Sequence, residues 1–199
     1  MKRVVFLAVV TATSMFVSAQ TRYVTETGAG NKTGLSWATA SNDLQKMINQ
    51  SNPGDSVFVE EGTYAPIYPS NKLSFDSKDN AFVLRWNVLV FGGFSTVKGD
   101  TAFADRNWKD NETILDGWLG NSTYSNHVVI SSGDVGILGC LDGFTILSGG
   151  PYFTGTPGTP SKYITVNGNP IYSDWGAGIT LYNSSPLLAN LVVKENFAV

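Results

Sequence analysis

Cysteine, histidine and charge are all scarce in this 199-residue chain, and each scarcity excludes something. One cysteine, Cys140, cannot close an intrachain disulfide; it sits in the apolar run 136–144 and reads as a buried thiol. No cysteine stands near Ala19, so the thiol that a bacterial lipid anchor needs is missing there. One histidine, His127, excludes a multi-histidine metal site, and its place at the head of Val128-Val129-Ile130 reads as structural. Charged residues make up only 15% of the chain, with 13 Lys and Arg against 16 Asp and Glu. A chain of that balance is a poor polyanion binder, so nucleic acid is not an expected partner. No His/Cys cluster, Gly-x-Ser-x-Gly elbow, phosphate loop or dinucleotide fingerprint occurs.

Long apolar runs are missing too, except at the start. Lys2 and Arg3 form a basic head, residues 4–17 are mostly apolar, and Val17, Ser18 and Ala19 supply small residues before Gln20. That order is the pattern of a cleavable export signal, expected over residues 1–19 with cleavage between Ala19 and Gln20. At about 14 residues the run is short for a membrane helix, which needs about 20. Removal of Lys2 and Arg3 leaves 11 basic side chains against 16 acidic ones, a formal charge of −5. The remaining chain, residues 20–199, is long enough for one core that buries roughly 70% of its unfolded surface. Asn31, Asn111, Asn121 and Asn183 stand in glycosylation sequons and are read first as turn residues.

Helical periodicity is confined to one place. Ser41 to Gln50 sets Leu44, Met47 and Ile48 on one face, with Ser41 as the expected N-cap, and Pro53-Gly54-Asp55 follows as a stop. Downstream come short β-rich pieces at 56–59, 82–84, 88–91, 113–115, 128–130, 144–147, 178–181 and 191–193, separated by Gly, Asn, Asp and Ser. The expectation is an all-β domain with one short helix. Hairpin signals are few: Asp116-Gly117 and Asp142-Gly143 are the Asp-Gly pairs, and Asn167-Gly168 is placed in a loop. Strands this short without tight hairpins fit stacked coils of parallel strands better than a sandwich. Their spacing is irregular, which corner insertions in such coils tolerate. Residues 151–175 form the longest interruption, a loop insertion that opens on Pro151, contains Pro157, Pro160 and Pro170, and carries the aromatics Tyr152, Phe153, Tyr163, Tyr172 and Trp175, within which Tyr163 to Val166 can form a small strand.

Four stretches carry a resemblance. The first comprises Tyr23-Val24, 34–38, 43–45, 54–57 and 62–64; the second, Phe91-Gly92-Gly93-Phe94 with Arg106-Asn107-Trp108, Asn111 and 113–115. The third is His127-Val128-Val129 with Leu141-Asp142-Gly143-Phe144-Thr145-Ile146, and the fourth is 185–193 with Asn196. Together they resemble the right-handed parallel β-helix proteins of the pectin-lyase-like class, in the branch of polymorphic outer-membrane and other exported bacterial surface proteins. The resemblance implies a right-handed parallel β-helix with a short N-terminal capping helix, further coils beyond the one regular coil present, and hence a chain truncated at its C-terminus. Asn190 and Asn196 suit coil corners, and Leu191 and Val193 are expected to point inward with Val192 outward.

The same class contains polysaccharide lyases and glycoside hydrolases, whose chemistry needs a base with metal-holding acids or two facing carboxylates. Asp100, Asp105, Arg106, Lys109, Asp110 and Asp116 are spaced like a solvated charged loop, and Glu60 and Glu61 are adjacent and would face opposite ways on a strand. No catalytic, cofactor or metal residue is therefore assigned; Ca²⁺ is conceivable in such a class but no ligand set supports it. Trp37, Trp86 and Trp108 read as packing residues, and Trp118 and Trp175 as exposed ones. The preferred reading is a non-catalytic exported or surface interaction protein, adhesin-like, binding a neutral glycan or a cell-surface protein through Tyr152, Phe153, Tyr163, Tyr172 and Trp175. A glycan-degrading enzyme of the same fold and a structural fragment of a larger surface protein stand as alternatives.

Overall fold

The computed structural model describes residues 18–133, 135–150 and 162–197. The expected signal segment lies outside them except for Ser18 and Ala19, and so do Tyr152 and Phe153. In chain order the strands are β1 (Thr21–Val24), β2 (Ser56–Glu60), β3 (Gly62–Tyr64), β4 (Phe82–Val83), β5 (Leu89–Phe94), β6 (Thr113–Asp116), β7 (Trp118–Gly120) and β8 (Thr123–Tyr124). They continue as β9 (Val129–Ser132), β10 (Cys140–Asp142), β11 (Thr145–Leu147), β12 (Tyr163–Val166), β13 (Asn169–Tyr172), β14 (Ile179–Tyr182), β15 (Leu187–Ala189) and β16 (Val192–Val193). One α-helix, α1 (Leu44–Gln50), precedes β2.

The domain is mostly β, and its main sheets are parallel. One holds β1-β2-β5-β10-β15, a second β3-β6-β11-β16, and a third β4-β9-β14. From β2 onward the chain visits these three sheets in unchanging rotation, and every pairing within them is parallel. Identical register positions therefore stack. Val57, Val90, Leu141 and Leu188 follow one another across the first sheet, Tyr64, Leu115, Ile146 and Val193 across the second, and Phe82, Val129 and Ile179 across the third. Most of these side chains are fully buried in one core, each contributing about 1.5–3 kcal/mol by burial.

Strand alternation sends the intervening residues outward. Across the first sheet Tyr23, Phe58 and Phe91 form an aromatic ladder, with centroids 5.9 and 6.2 Å apart, covered by Phe94 and Phe103. Across the third sheet the outward set is Val83, Ile130 and Thr180.

At one end of the core, α1 buries Leu44, Met47 and Ile48 as expected. Its N-cap is Asp43, whose carboxylate accepts from Lys46 N at 2.9 Å, and not Ser41. Ser41 continues the extended backbone instead, in a parallel bridge with Val24, and its hydroxyl accepts from Asp43 N. Turns that leave the main sheets hold residues with positive φ: Asn190 at 50°, Ser148 at 59° and Glu195 at 55°. Asn196 also works as expected there, donating to Ile146 O and accepting from Gly149 N in the adjacent passage. Leu191 packs on the core, whereas Val193, in register with the buried Ile146, remains 52% exposed.

Candidate functional site

On every passage from the second sheet to the third the chain makes a long excursion, over residues 65–81, 117–128 and 148–178; residues 95–112, between the first sheet and the second, form another. The excursions between the second and third sheets are stitched together. Asn126 donates from its backbone to Lys78 O and from its side chain to Asp79 Oδ1, and Gly150 N donates to Ser125 O at 2.9 Å. Lys162 reaches back to Asp76 and Asp79 at 3.1 and 3.6 Å. The hydrogen bond to Asp76 raises the Lys162 pKa, while Asp76 is lowered first by the Lys78 N–H.

The expected loop 151–175 is in part a hairpin. Tyr163-Ile164-Thr165-Val166 and Asn169-Pro170-Ile171-Tyr172 pair antiparallel as β12 and β13, and Asn167-Gly168 is the two-residue turn between them. Both turn residues have positive φ, 49° and 78°, the geometry for which Asn-Gly is favoured. The alternation turns Ile164, Val166 and Ile171 down onto Ala81 and Ile130, a second small core against the outer face of the third sheet.

That packing brings three of the expected contact residues together and adds a fourth. Tyr163 and Tyr172 face each other across the strands at 5.5 Å, Tyr172 lies 4.4 Å from Trp175, and Trp175 lies 6.0 Å from Tyr182. Tyr163 and Trp175 are 56% and 44% exposed, so the row faces solvent. Tyr182 closes β14 and points outward in step with Thr180; only its place at a strand end, past an alternating Thr, signals it in the sequence. Thr180 supports the row from below, donating to Trp175 O at 3.2 Å and lying 2.8 Å from His127 Nδ1. His127 is buried, and desolvation lowers its pKa to about 4 against the opposing pull of the Tyr172 carbonyl, Asp79 and Asp174.

The other sequence candidates lie elsewhere. Ala19 and Gln20 are exposed ahead of β1. Arg106 is not a solvated loop residue: it makes an ion pair with Asp142 at 2.7 Å, both side chains largely buried, and donates to Gly92 O. Asp100 accepts from Asn111, Asp110 from Asn107 and Asp116 from Trp118 N, while Asp105 and Lys109 are exposed, the latter over Trp108. Glu60 and Glu61 do not diverge as adjacent strand residues would. β2 ends at Glu60, and both carboxylates bind the same segment, Glu60 to Thr96 and Glu61 to Ser95 and Lys98. Trp118 and Trp175 are exposed as expected, but Trp86, expected to pack, is 52% exposed. Among the described residues no group of three His, Cys, Asp or Glu is placed to hold a metal ion.

No protein-family model matches the chain, and comparison with curated proteins and with solved structures finds no match.

Proposed function

We propose that this chain is a non-catalytic, exported interaction protein, a right-handed parallel β-helix that presents its corner excursions to a neutral glycan. The unchanging rotation through three parallel sheets supports the helical winding. Right-handedness follows from the rule for parallel crossovers. The basic, apolar and small-residue order of residues 2–19 supports export with cleavage before Gln20. The observation that carries the reading is the solvent-facing row Tyr163, Tyr172, Trp175 and Tyr182, held on a hairpin with its own core. Aromatic faces stack on the C–H faces of sugar rings, and a rigid hairpin presents them with little ordering entropy left to lose. The acidic balance of the chain disfavours acidic polysaccharides.

The test is a glycan array carrying neutral and acidic oligosaccharides, probed with the full chain and with Tyr172→Ala and Trp175→Ala. Hot-spot aromatics contribute more than about 1 kcal/mol each, so each variant is expected to lose at least about fivefold in affinity. Unchanged binding in both variants removes the row from the reading. Release of unsaturated or reducing ends from any polysaccharide overturns the non-catalytic assignment.

A further inference from the structure

At the opposite end of the same hairpin lies an open pocket of about 490 Å³, bordered by Arg85, Trp86, Ser132, Asn167, Asn169 and Asn183 among others. The aromatic row gathers at the Tyr163–Tyr172 pair, while the pocket lies at the Val166–Asn169 pair, three residues or about 10 Å along the strands. The row's residues are not among those that border it, although Tyr182, the far member of the row, pairs with Ser132 and precedes Asn183 at its edge.

Its wall is organised by amides. Asn167 Nδ2 donates to Ser132 O at 2.9 Å, Asn169 Nδ2 to Asn167 O at 3.1 Å, and Asn183 Nδ2 to Asn169 Oδ1 at 3.2 Å. A carboxamide has two N–H donors and two acceptor lone pairs. Each asparagine thus spends one donor on the wall and keeps the other. The Oδ1 atoms of Asn167 and Asn183 accept from no donor among the described residues. Asn167 and Asn183 both stand at left-handed turn positions, φ 49° at each, and the bonds just named hold their amides. Facing this array is the half-exposed indole of Trp86. The adjacent Arg85 guanidinium is already engaged through Nη1 by the carbonyls of Asn49 and Ser51.

From this juxtaposition we infer a second binding site, specific for a neutral saccharide. Paired amide donors and acceptors match vicinal hydroxyls, which each donate and accept, and the indole matches the apolar face of the same ring. A pocket of this volume holds one or two sugar units. Arg85 keeps its charge at the border, but its Nη1 is committed to backbone carbonyls, and the donors and acceptors that the wall itself offers are uncharged amides, which match a neutral ring.

The experiment titrates the full chain, and a Tyr172→Ala/Trp175→Ala chain lacking the aromatic row, with cellotetraose, mannotetraose, galactotetraose and tetragalacturonate. Calorimetry and indole fluorescence give the affinity, and circular dichroism checks the fold. At least one neutral tetrasaccharide is expected to bind the row-deleted chain with Kd of about 1 mM or tighter. Added to that background, Trp86→Ala is expected to weaken it about tenfold, and Asn183→Gly, which suits the positive φ while removing the amide, about threefold or more. Tetragalacturonate is expected to bind more weakly than the neutral probe. The inference is overturned if no neutral probe binds the row-deleted chain, if Trp86→Ala and Asn183→Gly leave binding unchanged, or if tetragalacturonate binds tightest. Binding that depends only on the row would sink this site and leave the proposed function standing; binding that depends only on Trp86 and Asn183 would do the reverse.

Discussion

The backbone N–H of Gln20 donates to the carboxylate of Asp55 at 2.7 Å, and Asp55 is 1% exposed. The other carboxylate oxygen accepts from Asn52 N at 2.8 Å, and Ser56 N returns a bond to Gln20 O. Cleavage between Ala19 and Gln20 would convert that N–H into an ammonium already seated on a buried carboxylate. A chain beginning at Gln20 is expected to be about 1–2 kcal/mol more stable, by urea unfolding, than the same chain N-acetylated, because a charge-assisted bond exceeds a neutral one by about that much. Asp55→Asn should erase the difference. Equal stability of the free and acetylated forms would show that the amine gains nothing from Asp55.

A side chain completes the edge of the third sheet in a comparable way. Gln45 of α1 donates from Nε2 to Val83 O at 3.0 Å and accepts from Val83 N at 2.7 Å, occupying both peptide groups where a preceding strand would pair. Gln45 is 2% exposed, so Gln45→Leu would bury two backbone groups without partners, each costing about 1–3 kcal/mol. The expected loss is about 3 kcal/mol in chemical denaturation, with Gln45→Met giving a similar loss despite its closer shape. A loss below about 1 kcal/mol in both would mean that water replaces the amide.

His127 links stability to pH. Its folded pKa, about 4, lies below the unfolded value of 6.5, so between these values the unfolded chain binds the extra proton. Stability contributed by the neutral ring is complete above about pH 6.5 and drains away as pH falls towards 4, by roughly 3 kcal/mol in total. Asp79 and Asp174 oppose the shift and limit its size. Urea midpoints measured from pH 7.5 to 5 should fall in the natural chain and fall less in His127→Gln. Parallel curves would exclude the histidine as the cause.

Much of this architecture was legible, and the failures have local physical causes. All eight expected strand pieces reappear, seven with both ends within two residues and β5 running three residues past its expected end, because each carries two or more β-branched or large apolar residues. β3, β10 and β15 lie outside those pieces, being three-residue strands whose pairing rests on the parallel neighbours and not on their own composition. The hairpin was half visible. Tyr163 to Val166 alternates cleanly, but Pro170 masks its partner; it is tolerated because β12 and β13 form a sheet of two edge strands. Trp86 follows the buried Leu84 by two residues, and adjacency to an apolar strand does not reveal that the chain turns outward there. The aromatic residues could be named from composition, whereas the row they form depends on hairpin register and on Tyr182 from a separate strand.

Register is also what makes the row separable from the scaffold. Ile171 is fully buried, yet it belongs to a cluster of five buried residues outside the main core, with Ala81, Ile130, Ile164 and Val166. Ile171→Ala removes about 2–5 kcal/mol of packing from a unit that has little more to lose. The hairpin should therefore detach while the stacked strands stay folded, a local opening and not a global one. In hydrogen exchange the amides of Ile164 and Val166 should lose protection about 30-fold or more, that being 2 kcal/mol at the lower bound, while those of Val90 and Leu141 keep theirs. Glycan binding that depends on Tyr172 and Trp175 should weaken in parallel, because the rings keep their chemistry but lose their spacing. Simultaneous loss of protection in the hairpin and in Val90 would show a single cooperative unit, and the row could then not be moved without unfolding the protein.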